Sequence, residues 1–244
     1  MSLLSKVRYN VRRLHARASA WSAKSRHAQA GRIVVSPPCY CLMDWLDADS
    51  VVVDCGLGFD ADFTRGLVKR YGVTSHGFDP TRKHHPHLQK TSRELGGKLI
   101  LHTMAVAESK GALTFFESAG EVSGSLDPNH QNILHGESSS YMVTSIRLRE
   151  IFDLLNTDRI HLLKMDIEGA EYDVLLNAGK NLLAKVDQFV IEFHHDFMGY
   201  TFEDTQQCVQ RLEACGFCCY TRDNVNFLFY NPERAPKTHG CVEA

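Results

Sequence analysis

The chain has 244 residues, 43% hydrophobic and 23% charged, a globular balance that excludes extended disorder and a fibrous rod. At about 150 residues per domain the length fits one large domain or two small ones. The longest apolar runs, such as Val51–Val53 and Leu99–Leu101, fall far short of the roughly 20 residues a membrane-spanning helix needs, and a net charge of −2 argues against a nucleic-acid binder relying on overall positive charge.

That average conceals two unlike parts. Lys6, Arg8, Arg12, Arg13, Arg17, Lys24, Arg26 and Arg32 precede the first acid, Asp44, which leaves 19 basic against 29 acidic residues in the remainder. Within this leader (1–36) Leu4, Val7, Val11, Leu14, Ala18 and Trp21 recur at steps of three and four, the stripe of a basic amphipathic helix. A helix docked on the acidic body is the preferred reading, with an organelle transit peptide and a helix lying on an anionic membrane surface as alternatives. The lack of a continuous apolar core of about 7 to 15 residues argues against a secretory signal. The cytoplasm is the expected location, or a mitochondrion or other organelle if the leader is a transit peptide.

Ser36-Pro37-Pro38 breaks the leader from the body, since proline cannot continue a helix. The body, 37–232, reads in chain order as strand 50–54, helix 60–71, strand 73–78, helix 84–95 and strand 98–106. A hairpin-like pair (112–117 and 140–146) around a long polar loop follows, then helix 147–155, strand 160–166, helix 169–178, strand 187–194, helix 202–214 and strands 217–221 and 225–230. Strands alternating with helices imply one α/β domain with a mostly parallel sheet covered on both faces, and the last two strands pair antiparallel. Residues 233–244 form a tail. Cys215 and Cys218 have C-x-x-C spacing but lack the partners of a zinc site, so they read as packing residues, and the eight cysteines as reduced thiols.

Ligands of such a sheet bind at the carboxyl ends of the strands. The first ends in Val53-Asp54-Cys55-Gly56-Leu57-Gly58-Phe59-Asp60, a tight turn that admits a ligand to the backbone. No Gly-Lys-Ser/Thr follows to make a phosphate loop, while Asp54 suits a ligand with a positively charged amino-acid end. Asp79, ending the second strand, is spaced to hold the ribose of a nucleoside. His84, His85 and His87 read as a solvated loop or helix start. The polar stretch 120–140 reads as a loop shaping acceptor specificity.

The run Lys164-Met165-Asp166-Ile167-Glu168-Gly169-Ala170-Glu171-Tyr172, with Phe78-Asp79-Pro80-Thr81 and Val190-Ile191-Glu192-Phe193-His194, resembles the FkbM-type S-adenosylmethionine-dependent methyltransferases, especially their eukaryotic methyltransferase-like branch. The resemblance covers residues 50 to 230. It implies the class I methyltransferase fold, a Rossmann-like three-layer sandwich with a seven-stranded sheet ordered 3-2-1-4-5-7-6 and an antiparallel last strand. It also implies methyl transfer mainly to oxygen of small molecules or sugars. Carried over, Asp54, Gly56 and Gly58 would hold the methionine portion, Asp79 the ribose, and Ala105 and Val106 the adenine. Asp60 stands where many members have a third glycine, and is read as facing the methionine amino group or capping the helix. Asp166 would sit beside the sulfonium and the acceptor.

An alcohol needs a base or a metal to help remove its proton. His194 is the first choice for general base, with Glu192 on the same strand face and His195 on the other. Asp166, Glu192 and His194 offer an O/O/N set for a divalent metal, a reading not favoured over a metal-free site. Glu168 and Glu171 read first as dipole-favouring residues of a helix start. Methylation of a macromolecule gripped by the leader, and a non-catalytic cofactor-binding scaffold, are the alternative functions. The acceptor's identity and the oligomeric state are not legible.

Overall fold

The computed structural model describes residues 31–119, 123–134, 137–195 and 199–236, so most of the basic leader and the end of the tail lie outside the described residues. The described chain opens with a hairpin of β1 (Ile33–Ser36) and β2 (Tyr40–Met43), registered from Ile33 opposite Met43 to Ser36 opposite Tyr40. There follow β3 (Val51–Cys55), α1 (Asp62–Tyr71), β4 (Thr74–Phe78), a 3-10 turn at Arg82–His84 leading into α2 (His85–Glu94), and β5 (Leu99–His102). Next come β6 (Ala105–Val106), β7 (Gly111–Ser118), β8 (Gly124–Ser125), the short α3 (Gln131–Leu134) and β9 (Ser138–Ile146). The rest is α4 (Leu148–Leu155), β10 (Leu162–Met165), α5 (Glu171–Asn177), α6 (Lys180–Leu183), β11 (Gln188–Glu192), α7 (Phe202–Glu213), β12 (Cys218–Thr221) and β13 (Asn226–Tyr230).

Seven of these strands form the central sheet, in the order β5-β4-β3-β10-β11-β13-β12. Numbered by chain order within the sheet, this is 3-2-1-4-5-7-6. All neighbours are parallel except β13, which runs antiparallel to both β11 and β12. The expected strand 98–106 is two strands. After His102 the chain leaves the central sheet, and Ala105–Val106 pairs with β9 in a second sheet ordered β6-β9-β7-β8, inserted between β5 and β10.

Period-two alternation divides the central sheet between two cores. Val52, Leu162, Val190 and Leu228 face α1 and the hairpin, packing on Phe63, Leu67, Val34, Leu42 and Met43. Their sequence neighbours Val53, Leu163, Phe189, Ile191, Phe227 and Phe229 face α4, α5 and α7. The hairpin thus covers the sheet where a helix would, and buried Gln188 of β11 accepts a 2.8 Å bond from the Met43 N–H to hold it there. Because β1 lies within 31–36, the body begins inside the segment read as leader: Pro37 and Pro38 make a hairpin turn, a geometry that prolines favour as well as a break.

The seven described cysteines are unbridged. Cys215 packs against one core and Cys218 against the other, which fits packing and not a shared metal or disulfide. Among the described residues no helix is long and apolar enough to cross a membrane.

Phe189 lies in the middle of β11, fully buried, with its ring 5.3 Å from that of Phe217. Phe189→Ala is expected to lower the unfolding free energy by about 3–5 kcal/mol, measured by denaturant titration. A loss below about 1 kcal/mol would mean that this core collapses around the cavity or was never closed.

Candidate active site

The carboxyl ends of β3 and β10 lie side by side, with Asp54 the direct neighbour of Lys164. Alternation puts both side chains on the hairpin face, under Tyr40. The Lys164 ammonium is buried. It donates to the Gly56 carbonyl and, at 3.2 Å, to Asp166 Oδ2, stands 3.5 Å from Asp54 Oδ1, and lies 5.3 Å from the centre of the Tyr40 ring. Burial alone would lower its pKa, but the charges of Asp166 and Asp54 outweigh burial and raise it. The other Asp54 oxygen accepts a 2.8 Å bond from the Thr64 hydroxyl.

Gly56 is where the two strand ends approach most closely. Its φ is +81°, and a Cβ there would sit 1.7 Å from the Asp166 carbonyl oxygen, so no other residue fits. The turn it makes forms one wall of a cleft. Gly58, Asp79, Ala105 and Val106 line the cleft as expected, as do Asp166 and Glu168 at one end, and Phe78, Pro80, Phe115 and Leu126 supply apolar surface. Ser123 and Gly124 of the long polar stretch also reach it.

Asp79 is buried and braces the cleft. Its Oδ2 accepts from the Leu57 N–H at 3.1 Å, its Oδ1 from the Thr81 N–H at 2.8 Å, and His84 Nδ1 lies 3.1 Å from Oδ2. His84 is therefore a buried cleft residue and His85 Nε2 meets the Asp79 carbonyl at 2.9 Å, so at this helix start, as read, only the exposed His87 is solvated. Two other expectations change. Asp54 is not among the cleft-lining residues, being committed beneath the turn to Lys164 and Thr64. Asp60 is exposed and does not cap α1, whose N-cap is Ala61 with no side-chain bond.

Beyond Asp166 the cleft meets a cluster of acids. Tyr40 Oη stands 2.9 Å from Asp166 Oδ2 and 2.8 Å from Glu192 Oε2, with one hydrogen to share between the two carboxylates. β11 ends at Glu192, and His194, two residues past it, turns into the same corner: Nδ1 is 2.5 Å from Glu171 Oε1, and Nε2 lies 3.6 Å from Asp166 Oδ1 and 3.4 Å from Glu168 Oε2. One ligand atom each from Asp166, Glu192 and His194 lie within 4.8 Å of one another, so the structure brings together the three residues expected to act. His195 points elsewhere, to Thr205 Oγ1 at 3.0 Å and the Phe202 ring.

The turn between β10 and α5 is pinned at each residue that matters. Glu168 has φ +54°, a costly left-handed conformation for a side-chain-bearing residue. Ser125 of β8 holds it by donating to its carbonyl at 2.8 Å. Glu171 is fully buried, and its Oε2 accepts from the Gly169 N–H at 3.0 Å while Oε1 meets His194. Glu168 and Glu171 thus belong to the site, beyond any effect on the helix dipole.

These contacts set the protonation pattern. Burial would lower the His194 pKa, but the charge and hydrogen bond of Glu171, with Glu168 and Asp166, raise it to about 10. Burial pushes Asp166 up, and Lys164, His194 and Tyr40 together hold it below its usual range. Glu192 is pushed up by burial and by the charge of Asp166. At neutral pH His194 therefore carries its proton, and a free general base is not what this environment makes of it.

Sequence reasoning missed Tyr40, Lys164 and the buried role of Glu171. Lys164 was within reach, since it shares strand parity with Asp166 and Asp54 faces it across the ladder. Tyr40 meets Asp166 across 126 residues of sequence, and no local pattern carries that contact.

Residues 54–219 match the family model described as the methyltransferase FkbM domain. AMB antimetabolite synthetase AmbE of Pseudomonas aeruginosa is 46% identical over 71 residues, 29% of this chain and 3% of that protein, so the chain spans a small fraction of this relative. An FkbM methyltransferase structure from Methylobacillus flagellatus aligns with a TM-score of 0.49 at 15% identity, over 76% of this chain and 44% of that one. An rRNA methylase structure from Streptococcus thermophilus aligns with a TM-score of 0.45 at 12% identity, over 76% and 87%.

A histidine whose pKa rises from 6.5 to about 10 on folding adds stability that is complete below pH 6.5 and is lost as pH climbs through the folded value. In chelator-treated protein, the thermal midpoint of wild type should therefore fall relative to that of His194→Gln between pH 6.5 and about 10. A gap between the two that stays constant over this range would mean that His194 is neutral at pH 7.

Proposed function

This chain belongs to the FkbM methyltransferase family and has the class I α/β fold, and from that premise we propose that it transfers the methyl group of S-adenosylmethionine to a hydroxyl oxygen of a small molecule or sugar. The observation that carries the reading is the joining of two sites at one residue: the cleft between the glycine turn and Ala105–Val106 runs into the Tyr40–Asp166–Glu192–His194 corner, with Asp166 in both.

The cleft fits the cofactor chemically. Phe78, Pro80, Val106 and Phe115 give a purine apolar surface, and Gly56 and Gly58 leave the backbone open to the methionine portion. Asp79 would receive the ribose hydroxyls. Its oxygens already accept from Leu57 and Thr81, but a carboxylate oxygen accepts more than one bond, and these donors fix its direction. Asp166 and Glu168 supply negative potential at the end where the amino-acid portion and the sulfonium would lie. When bound, the cofactor supplies a methyl carbon that forms its new bond to the acceptor oxygen as the carbon–sulfur bond breaks, its electron pair leaving on sulfur and the acceptor giving up its hydroxyl proton.

The chain's own contribution is placement and proton handling. Positioning dominates a displacement that requires oxygen, carbon and sulfur in line, and Asp166, held by Lys164 and Tyr40, is the fixed point against which the hydroxyl is placed. His194, already protonated, donates instead of accepting, and the carboxylates of Asp166 and Glu192 are left to draw the proton away. The partial likeness to AmbE, an antimetabolite synthetase, supports a small-molecule acceptor.

Calorimetry with S-adenosylhomocysteine should show one site in wild type and binding weakened at least about tenfold in Asp79→Asn. Asp166→Asn should keep most of that affinity while turnover, followed as labelled methyl incorporated from cell extract, falls by about 100-fold or more. Wild type that binds no cofactor would refute the assignment, and label found in RNA or protein alone would refute the small-molecule acceptor.

A further inference from the structure

The geometry points to a divalent-cation site of the magnesium–manganese class at this corner, formed by Asp166, Glu192 and His194. The inference deepens the function proposed above and rests on it in one respect, that this corner is where an acceptor hydroxyl is activated. Metal–oxygen bonds of about 2.1 Å in an octahedron put neighbouring ligand atoms about 3 Å apart and opposite ones about 4.2 Å apart. With the three candidate atoms inside 4.8 Å of each other, one ion reaches all of them after small side-chain adjustments. Asp166 Oδ1 and His194 Nε2, at 3.6 Å, are spaced as two ligands of one centre.

Each ligand is held through the atom it does not offer. Asp166 gives Oδ2 to Tyr40 and Lys164, which turns Oδ1 toward His194. Glu192 gives Oε2 to Tyr40. His194 gives Nδ1 to Glu171, whose other oxygen is anchored by the Gly169 N–H. A carboxylate on the far ring nitrogen is the arrangement that orients a metal-binding imidazole and raises its basicity.

Two further observations call for a cation here. The phenolic oxygen of Tyr40 lies within 2.9 Å of carboxylate oxygens of both Asp166 and Glu192, yet it has one hydrogen to give, so when that hydrogen goes to Asp166, which Lys164 also serves, Glu192 Oε2 is left open to a cation. Around the corner the carboxylates of Asp54, Asp166, Glu168, Glu171 and Glu192 gather about one ammonium, Lys164, and two imidazoles, His194 and His130, the latter 3.1 Å from Glu168 Oε2. Such an excess of acids in a largely buried place is stabilised by added positive charge. Two carboxylates with one imidazole suit manganese and magnesium, with positions left over for water or an acceptor hydroxyl, which an ion makes more acidic.

The test uses the full chain, treated with chelator, dialysed and titrated with Mn²⁺ alone while the free ion is followed by electron paramagnetic resonance. One Mn²⁺ should bind per chain, be displaced by excess Mg²⁺, and bind at least about tenfold more weakly to Glu192→Gln and His194→Gln. If a variant fails to fold by circular dichroism, paramagnetic broadening of the His194 ring resonances in wild type decides the location. Wild type that leaves the free Mn²⁺ signal as in buffer, binding unaltered in folded variants, or unbroadened His194 resonances would each overturn the site. S-adenosylhomocysteine calorimetry on the same samples separates the two ideas. Cofactor binding without Mn²⁺ binding defeats the ion site alone, and Mn²⁺ binding without cofactor binding defeats the methyl-transfer reading alone.

Discussion

The buried ammonium of Lys164 is the interaction on which the rest of the site depends. Strand order places β3 and β10 side by side at the point where the sheet reverses direction of growth, and three groups that repel or desolvate one another converge there: the carboxylates of Asp54 and Asp166 and the carbonyl of Gly56. The one ammonium donates to the Gly56 carbonyl and to Asp166 and stands as an ion-pair partner 3.5 Å from Asp54. Leaving such charges buried without their partner costs about 3–5 kcal/mol, comparable to much of a domain's net stability. The close approach of the two strand ends that makes room for a cleft therefore exists because a lysine lies beneath it, and Gly56 is the residue whose missing side chain allows that approach.

From that fixed pair the chemistry spreads in order. Lys164 and Tyr40 occupy one oxygen of Asp166, so the other faces His194, which in turn is held by Glu171. The short turn from Asp166 to Glu171 accepts a left-handed Glu168 because Ser125 and the Gly169 N–H tie it on both sides. Strain of this kind persists only where neighbouring structure over-determines it. Here the neighbour is β8 of the inserted sheet, so a segment that reads as a polar loop fixes the backbone of the site as well as walling the cleft.

What was legible in the sequence follows the range of the interactions. Alternating strands and helices, and acids at strand ends, are local patterns, and they placed Gly56, Gly58, Asp79, Ala105, Val106 and Asp166 at the cleft. For Asp54 the strand-end position does not reveal the partner: period two sends its side chain under the turn, where Lys164 and Thr64 bind it. His194 lies at the corner with Asp166, and its protonation is set by Glu171, Glu168 and Asp166, which only the fold gathers. Tyr40 was invisible, because the hairpin that carries it was divided between leader and body at a pair of prolines.

The hairpin also gives the site its second side. Cys39, exposed at its turn, has a thiol pushed up first by burial and then by the nearby charges of Glu192, Asp223 and Asp166, and Cys41 is in hydrogen-bonding range of Arg222. The rim beyond Glu192 is thus built from the hairpin and the turn between β12 and β13, while the cleft on the other side of Asp166 is built from the β3 turn and the inserted sheet. A displacement at carbon needs its two partners to arrive from opposite directions. In the reaction proposed above Asp166, which closes the cleft on one side and meets Tyr40 and His194 on the other, is the anchored carboxylate between the two partners.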